Sequence, residues 1–205
     1  MIIIDIRKRI KTYDGFNLLQ INTSFASYSI TQILGNSGVG KTTFLKILAG
    51  LITPEEGNII VDGETWLDTK SNICLAPQKR RVGFVFQDYA LFPNMTVKQH
   101  LLYGNNDARY IRQLLNLGRM ENFQEHKPKQ LSGGQQQRVA ILRALSTKPK
   151  MLLMDEPFSA LDNALKANLI ADLKQLLTAL EITCLVVTHQ PFMNGEFAEH
   201  SFELE

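Results

Sequence analysis

The sequence predicts an α/β fold: a mainly parallel sheet with helices on its faces, an N-terminal antiparallel β-subdomain and an inserted helical subdomain. Three observations predict it. The run Met151–Met154 is apolar throughout and Ile182–Val187 is apolar but for Thr183, as strands buried on both faces are. Such runs alternate with helical patterns, which favours a parallel sheet. The stretch 88–145 is predominantly helical and breaks that alternation. The expected core is therefore 1–87 with 146–205 and the helical lobe is 88–145, within one domain of 205 residues.

Residues 1–34 read as β-structure: Ile2–Ile10, a run near Phe16–Phe25, then Ser29–Leu34. A glycine-rich turn follows, then a helical pattern from about Gly40 to Ala49. Gly57–Val61 is a short strand ending at the turn Asp62-Gly63, and Val82–Phe86 is another short apolar strand. Thr96 is placed to cap a helix through Leu101 and Leu102. In 109–117, Ile111, Leu114 and Leu115 recur at helical spacing, and a long helix is expected from Gly134 to about Ser146. Leu165, Leu169, Leu173, Leu176 and Leu180 form the core-facing stripe of a further amphipathic helix.

Composition is that of an ordinary soluble domain: 44% hydrophobic, 20% charged, net charge +2. A charge this small gives no argument for nucleic acid or an anionic membrane as a partner. Cys184 lies inside an apolar run and reads as a small buried hydrophobe, with Cys74 far from it in sequence. No apolar run approaches the ~20 residues that span a bilayer. The N-terminus places Ile2, Ile3 and Ile4 before Arg7, Lys8 and Arg9, the reverse of a secretory signal. A cytoplasmic location is the default expectation, and any membrane role requires a partner.

Gly35-Asn36-Ser37-Gly38-Val39-Gly40-Lys41-Thr42, with Thr43 next, fits G-x-x-x-x-G-K-[ST] and lies between a predicted strand and a predicted helix. Glycines let backbone N–H groups close around phosphate oxygens, and the helix that follows points its positive end at the same anion. Lys41 would reach the β- and γ-phosphates of a nucleotide such as ATP, and the Thr42 hydroxyl would ligate Mg²⁺.

Met151–Met154 delivers Asp155 and Glu156 at the C-terminal edge of a strand, where open α/β sheets bind ligands. Neighbouring strand residues face opposite ways. Pro157 ends the strand, so both carboxylates can face the site. Asp155 would hold Mg²⁺, and Glu156 would orient or deprotonate an attacking water.

Leu131-Ser132-Gly133-Gly134-Gln135 precedes a helix and forms a second anion site built like the first. One nucleotide's phosphates already occupy the first loop. The second site must then meet the γ-phosphate from the opposite side, most simply from another subunit.

With that motif the sequence resembles the ATP-binding-cassette ATPases, whose signature is L-S-G-G-Q. The resemblance covers nearly the whole chain: the phosphate loop, Gln87 in Val85-Phe86-Gln87-Asp88, the signature, the acidic strand, Ser159-Ala160-Leu161-Asp162, and Thr188-His189 fall in the family's order. The resemblance implies ATP hydrolysis with Mg²⁺ in a head-to-tail, ATP-dependent homodimer. It implies that Gln87 contacts Mg²⁺ and the attacking water, and that Ser132 and Gly134 bind the partner subunit's γ-phosphate. Asp162 would communicate across the dimer and His189 would bond the γ-phosphate. An aromatic near the N-terminus stacks on adenine in this family; Tyr13 has the right separation from the loop and Phe16 competes with it. The family's acidic-glycine turn before the third strand is replaced here by Ala26-Ser27-Tyr28.

The segment 79–97, from Lys79-Arg80-Arg81 through Leu91-Phe92-Pro93-Asn94-Met95, resembles bacterial importer ATPases, and Ile73–Pro77 tilts the resemblance to the molybdate type. The implied partners are integral membrane permease subunits, with a solute-binding protein engaged indirectly and no nucleic acid. The implied location is the inner face of the cell membrane. Tyr89, Leu91, Phe92 and Met95 form an apolar cluster suited to a permease helix or to packing inside the helical lobe. Such importer ATPases usually continue into a C-terminal β-domain; this sequence ends at Glu205, as a short protein or a fragment, so a regulatory anion site is not inferred. The alternative, a soluble relative acting on nucleic acid or ribosomes, would carry a long coiled coil or two cassettes. A non-hydrolysing module would lack Lys41, Glu156 or His189, and a P-loop kinase or GTPase would not explain the signature.

Overall fold

The computed structural model describes residues 1–12, 15–158, 163–192 and 196–205. Two five-stranded sheets are built from strands that are interleaved in sequence. Strands β1 (Ile2–Thr12) and β2 (Gly15–Phe25) pair antiparallel along their whole length, from Ile2↔Phe25 to Thr12↔Gly15. β1 alternates strictly at its start: Ile2, Ile4 and Ile6 are buried while Ile3, Asp5 and Arg7 are exposed. β3 (Ile30–Leu34) leaves this sheet for the other one. β4 (Glu56–Val61) returns to pair with β1, and the left-handed turn at Asp62 and Gly63 (φ 49° and 82°) folds β5 (Glu64–Asp68) back on β4. β6 (Ile73–Cys74) completes the order β2-β1-β4-β5-β6. The antiparallel unit thus draws on residues 56–74 as well as on the N-terminal strands.

The second sheet contains β3, β7 (Val82–Val85), β8 (Met151–Asp155), β9 (Thr183–Val187) and β10 (His200–Glu203), all parallel, in the order β10-β3-β9-β8-β7. β8 and β9 are buried at every position. Their two faces feed two cores. Met151, Leu153, Leu185 and Val187 face helix α1 (Lys41–Leu48), which is packed between the two sheets against Ile4, Ile6 and Trp66. Leu152, Met154, Cys184 and Val186 face the helices on the other side. Cys184 is fully buried, which pushes its thiol pKa far up, and Cys74 is exposed.

The helical layer contains α2 (Val97–Gly104), α3 (Ala108–Leu117), α4 (Gly133–Ser146) and α5 (Asn163–Ala179). The starts of α2 and α3 have local causes. The Thr96 hydroxyl accepts the Gln99 N–H at 3.3 Å while Gln99 Oε1 accepts the Thr96 N–H at 2.8 Å. Asp107 accepts the Tyr110 N–H at 3.1 Å. Asp172 on α5 receives Arg138 of α4 at 3.0 Å and Arg119 at 2.7 Å, tying the lobe to the core helix. Among the described residues no helix is long and apolar enough to cross a membrane.

Candidate active site at the sheet edge

The loop 35–40 joins β3 to α1 at the C-terminal edge of the parallel sheet. Its residue types follow from backbone geometry. Gly35 has φ 143°, and a Cβ there would lie 2.3 Å from the Leu204 carbonyl oxygen. Gly40, the N-cap of α1, has φ 112°, and a Cβ there would crowd Ile10 and Leu19 at 3.1 Å. Lys41, the first residue of α1, is buried and donates to the Gly35 carbonyl at 2.6 Å and the Asn36 carbonyl at 2.9 Å. Its ammonium therefore sits across the mouth of the loop, with a third donor available to an anion. Burial pushes its pKa down; the Glu156 and Asp155 carboxylates oppose that shift.

Thr42 donates its hydroxyl to Asp155 Oδ1 at 3.1 Å, joining the loop helix to the end of β8. Asp155 keeps the parity of Met151 and Leu153 and so faces α1. Burial pushes its carboxyl pKa up, and Thr42, Lys46 and Lys41 work against that rise. In a continuing strand Glu156 would point to the opposite face. Instead Glu156 adopts φ 47°, a left-handed bend, with its N–H on the Val187 carbonyl at 3.1 Å. Both carboxylates therefore face the site, as Pro157 led the sequence to suggest. The bend itself is the cause.

The Glu156 carboxylate is flanked on two sides. His189 Nε2 lies 2.7 Å from Oε1, and Gln87 Nε2 donates to Oε2 at 3.4 Å. Thus Lys41, Thr42, Gln87, Asp155, Glu156 and His189, separated by up to 148 positions in sequence (189 − 41), converge at one sheet edge. Thr42 and Asp155 are hard oxygen donors side by side, suited to one small divalent cation. Among the described residues no group of three or more His, Cys, Asp or Glu residues could hold a metal by itself.

The signature lies elsewhere on the molecule. Ser132 caps α4, accepting the Gln135 N–H at 3.3 Å while Gln135 Oε1 accepts the Ser132 N–H at 2.9 Å. Gly133 has nothing within 4 Å of where a Cβ would stand, so the helix start is open to a ligand on that side. Among the described residues no hydrogen bond or ion pair joins 131–135 to the loop 35–42. Tyr13 and Asp162 lie outside the described residues. Phe16, the competing aromatic, is 74% exposed at the start of β2. The apolar cluster after Gln87 splits in two: Tyr89 and Leu91 pack on the helical core, while Phe92 faces out beside Tyr103, ring centroids 5.4 Å apart.

Gln137 escaped the sequence reading. It is fully buried on α4, donates its amide to the Pro157 carbonyl next to Glu156, and leaves Oε1 without a partner among the described groups. The available signal was a polar side chain at helical spacing from Ala140, Ile141 and Ala144, a buried face.

Known proteins match this architecture over nearly its full length. A molybdenum import ATP-binding protein, ModC of Mannheimia succiniciproducens, is 44% identical over 192 residues, covering 92% of this chain and 53% of its own. A sulfate/thiosulfate import ATP-binding protein, CysA of Mesostigma viride, is 43% identical over 207 residues, covering 97% and 57%. The chain thus spans about half the length of the curated relatives it matches. Among solved structures, the dimeric post-hydrolysis state of the ATP-binding cassette MJ0796 bound to ADP and Pi superposes with TM-score 0.79 at 32% identity, covering 100% of this chain and 94% of that one. The family described as ABC transporter matches residues 18–159. By sequence, fold and the residues gathered at its sheet edge, the chain belongs to the ABC transporter family.

Proposed function

We propose that this chain is the ATP-binding and ATP-hydrolysing part of an ABC importer. The observation that carries the reading is the Glu156 carboxylate held between His189 at 2.7 Å and Gln87 at 3.4 Å, beside Lys41, Thr42 and Asp155. In this reading the loop 35–43 wraps the phosphates with backbone N–H groups and Lys41 neutralises the β- and γ-phosphates. Thr42 and Asp155, with Gln87 near, would hold Mg²⁺, which would supply positive charge against the phosphates. Glu156 accepts a proton from the attacking water, His189 orients the carboxylate and bonds the γ-phosphate, and Gln87 positions the water.

Ser132 and Gly134 then act on the γ-phosphate of a second copy, in a head-to-tail dimer, with Asp162 communicating across it. The support is spatial: the α4 start and the loop do not meet within one chain. The dimeric cassette among the similar structures agrees with that arrangement. Permease subunits would dock in the groove of about 380 Å³ lined by Phe84, Phe86, Phe92, Tyr103 and Arg143, placing the chain on the inner face of the membrane. A solute-binding protein would act indirectly, through the permease. The relatives named for molybdenum and sulfate/thiosulfate import favour an oxyanion as solute. Nothing among them favours work on nucleic acid or ribosomes.

Glu156→Gln tests the mechanism. The amide keeps the shape but cannot take the water's proton, so hydrolysis should fall by roughly 10²–10⁴-fold. Binding persists, and ATP should trap a dimer that ADP does not, read by size-exclusion chromatography with light scattering. Turnover at the wild-type rate would exclude Glu156 as the base.

A further inference from the structure

We propose that Arg143 is a positioning residue for hydrolysis: it clamps the backbone just after Gln87 and thereby fixes how far Gln87 reaches toward Glu156. The inference rests on the hydrolytic role proposed above. Gln87 is the first central residue of a tight turn closed by the Tyr89 N–H on the Phe86 carbonyl at 3.0 Å. The closing residue Tyr89 and the following Ala90 both have positive φ, 62° and 45°. They are the only consecutive pair of non-glycine residues in that region among the described residues. Side chains disfavour it, so the turn needs an external restraint to persist.

Arg143 supplies the restraint. Its guanidinium donates Nη2–H to the Tyr89 carbonyl at 3.0 Å and Nη1–H to the Ala90 carbonyl. It also lies 5.6 Å from the Phe92 ring centroid. One side chain thus reaches 89, 90 and 92, the exit of the Gln87 turn. A planar fork is suited to two carbonyls at once, and a lysine is not.

The anchor behind the fork is rigid. A Cβ on Gly83 of β7 would lie 2.9 Å from the Ala144 carbonyl, so α4 is pressed against the strand that leads to Gln87. Arg143 stands about three turns along the helix that Ser132 caps. A tilt of that helix would therefore move Ser132 at one end and the Gln87 turn at the other. Arg143 touches neither phosphate nor water in this scheme and acts through Gln87.

The test uses the full chain with Arg143→Met, Arg143→Lys, Ala90→Gly, and Arg143→Met with Ala90→Gly. Arg143→Met should lower kcat about tenfold or more with KM for ATP changed less than about twofold, and amide exchange over 89–92 should quicken. Arg143→Lys should lose most of the same kcat, because charge without the fork does not hold both carbonyls. Glycine adopts the left-handed region freely, so Ala90→Gly alone should be near wild type and should restore several-fold of kcat in the double variant. A merely structural role would lower the melting temperature and would not be rescued by glycine at a turn. Unchanged kcat, a loss confined to KM, or no rescue overturns the inference. Should the wild-type chain hydrolyse no ATP, the hydrolytic role falls separately, and amide exchange decides the clamp: equal exchange in Arg143→Met and wild type overturns it.

Discussion

Replacing Arg80 by methionine should destabilise the fold by about 3–5 kcal/mol. Arg80 is 2% exposed and donates to three backbone carbonyls: Ile47 at 2.8 Å, Leu48 at 2.9 Å and Leu75 at 2.9 Å. The first two belong to the last turn of α1, whose carbonyls have no partner within the helix and carry the negative end of its dipole. The guanidinium also lies 5.8 Å from the Trp66 ring centroid, and no carboxylate pairs with it among the described residues. Each charge-assisted bond contributes about 1.5–3 kcal/mol. Burying the guanidinium costs several kcal/mol in return, so the intact arrangement gains far less than the sum. Methionine keeps the stem but leaves buried carbonyls unpaired, and each of those costs about 1–3 kcal/mol. For a chain of 205 residues, at ~2–4 °C per kcal/mol, the melting temperature should fall by roughly 6–20 °C. Urea titration should show a lower midpoint with an unchanged slope. A loss below about 1 kcal/mol would refute the reasoning, since it would mean that the carbonyls find other donors or water.

Three further outcomes are expected. Asp155→Asn should raise the melting temperature of the ligand-free protein, because burial disfavours the ionised carboxyl, while abolishing the Mg²⁺-dependent part of ATP stabilisation; a lower melting temperature in fluorimetry would contradict the cited cause. His100 is fully buried, with Nδ1–H on the Thr96 carbonyl at 2.8 Å and Nε2 accepting the Phe92 N–H at 2.9 Å, which fixes a neutral ring. Burial, aided by Arg143 and opposed by Thr96, pushes its pKa below the ordinary 6.5. The unfolded chain then takes up a proton first, so the contribution is complete above about 6.5 and is lost as pH falls toward the folded value. His100→Leu should flatten the melting temperature against pH between about pH 7 and pH 5, and a profile as steep as wild type would count against it. Ser132→Arg should leave ATP binding to the monomer intact while abolishing turnover; loss of monomer binding, measured by titration calorimetry, would contradict a site shared between two copies.

Much of the site was legible because its chemistry demands fixed residue types close together in sequence. Gly35 is required by a backbone approach that no side chain tolerates and Gly40 by its φ of 112°, and Lys41 and Thr42 follow from the helix start. The paired carboxylates were visible too, but not the left-handed bend at Glu156 that turns the second one inward. Strands β5, β6 and β10 were missed: β5 reads Glu-Thr-Trp-Leu-Asp with charge at both ends, β6 is two exposed residues, and β10 is a polar edge strand. None has enough apolar alternation to declare itself without its neighbour. The cluster Tyr89, Leu91, Phe92 and Met95 was visible as apolar, yet only packing separated the residues turned inward from those facing out.

The sequence by itself determined the family, the phosphate loop, the acidic pair and the signature, because each is a local pattern whose residue types the chemistry dictates. Tertiary structure alone decided the order of the strands, the face that Glu156 presents, and the posts of Gln137, Arg80 and Arg143. The physical reason is common to the last three. Each donates to backbone carbonyls, at Pro157, at Ile47, Leu48 and Leu75, and at Tyr89 and Ala90. Every residue carries a carbonyl, so no residue type marks the acceptor, and only the folded chain shows which ones were left for a side chain to satisfy.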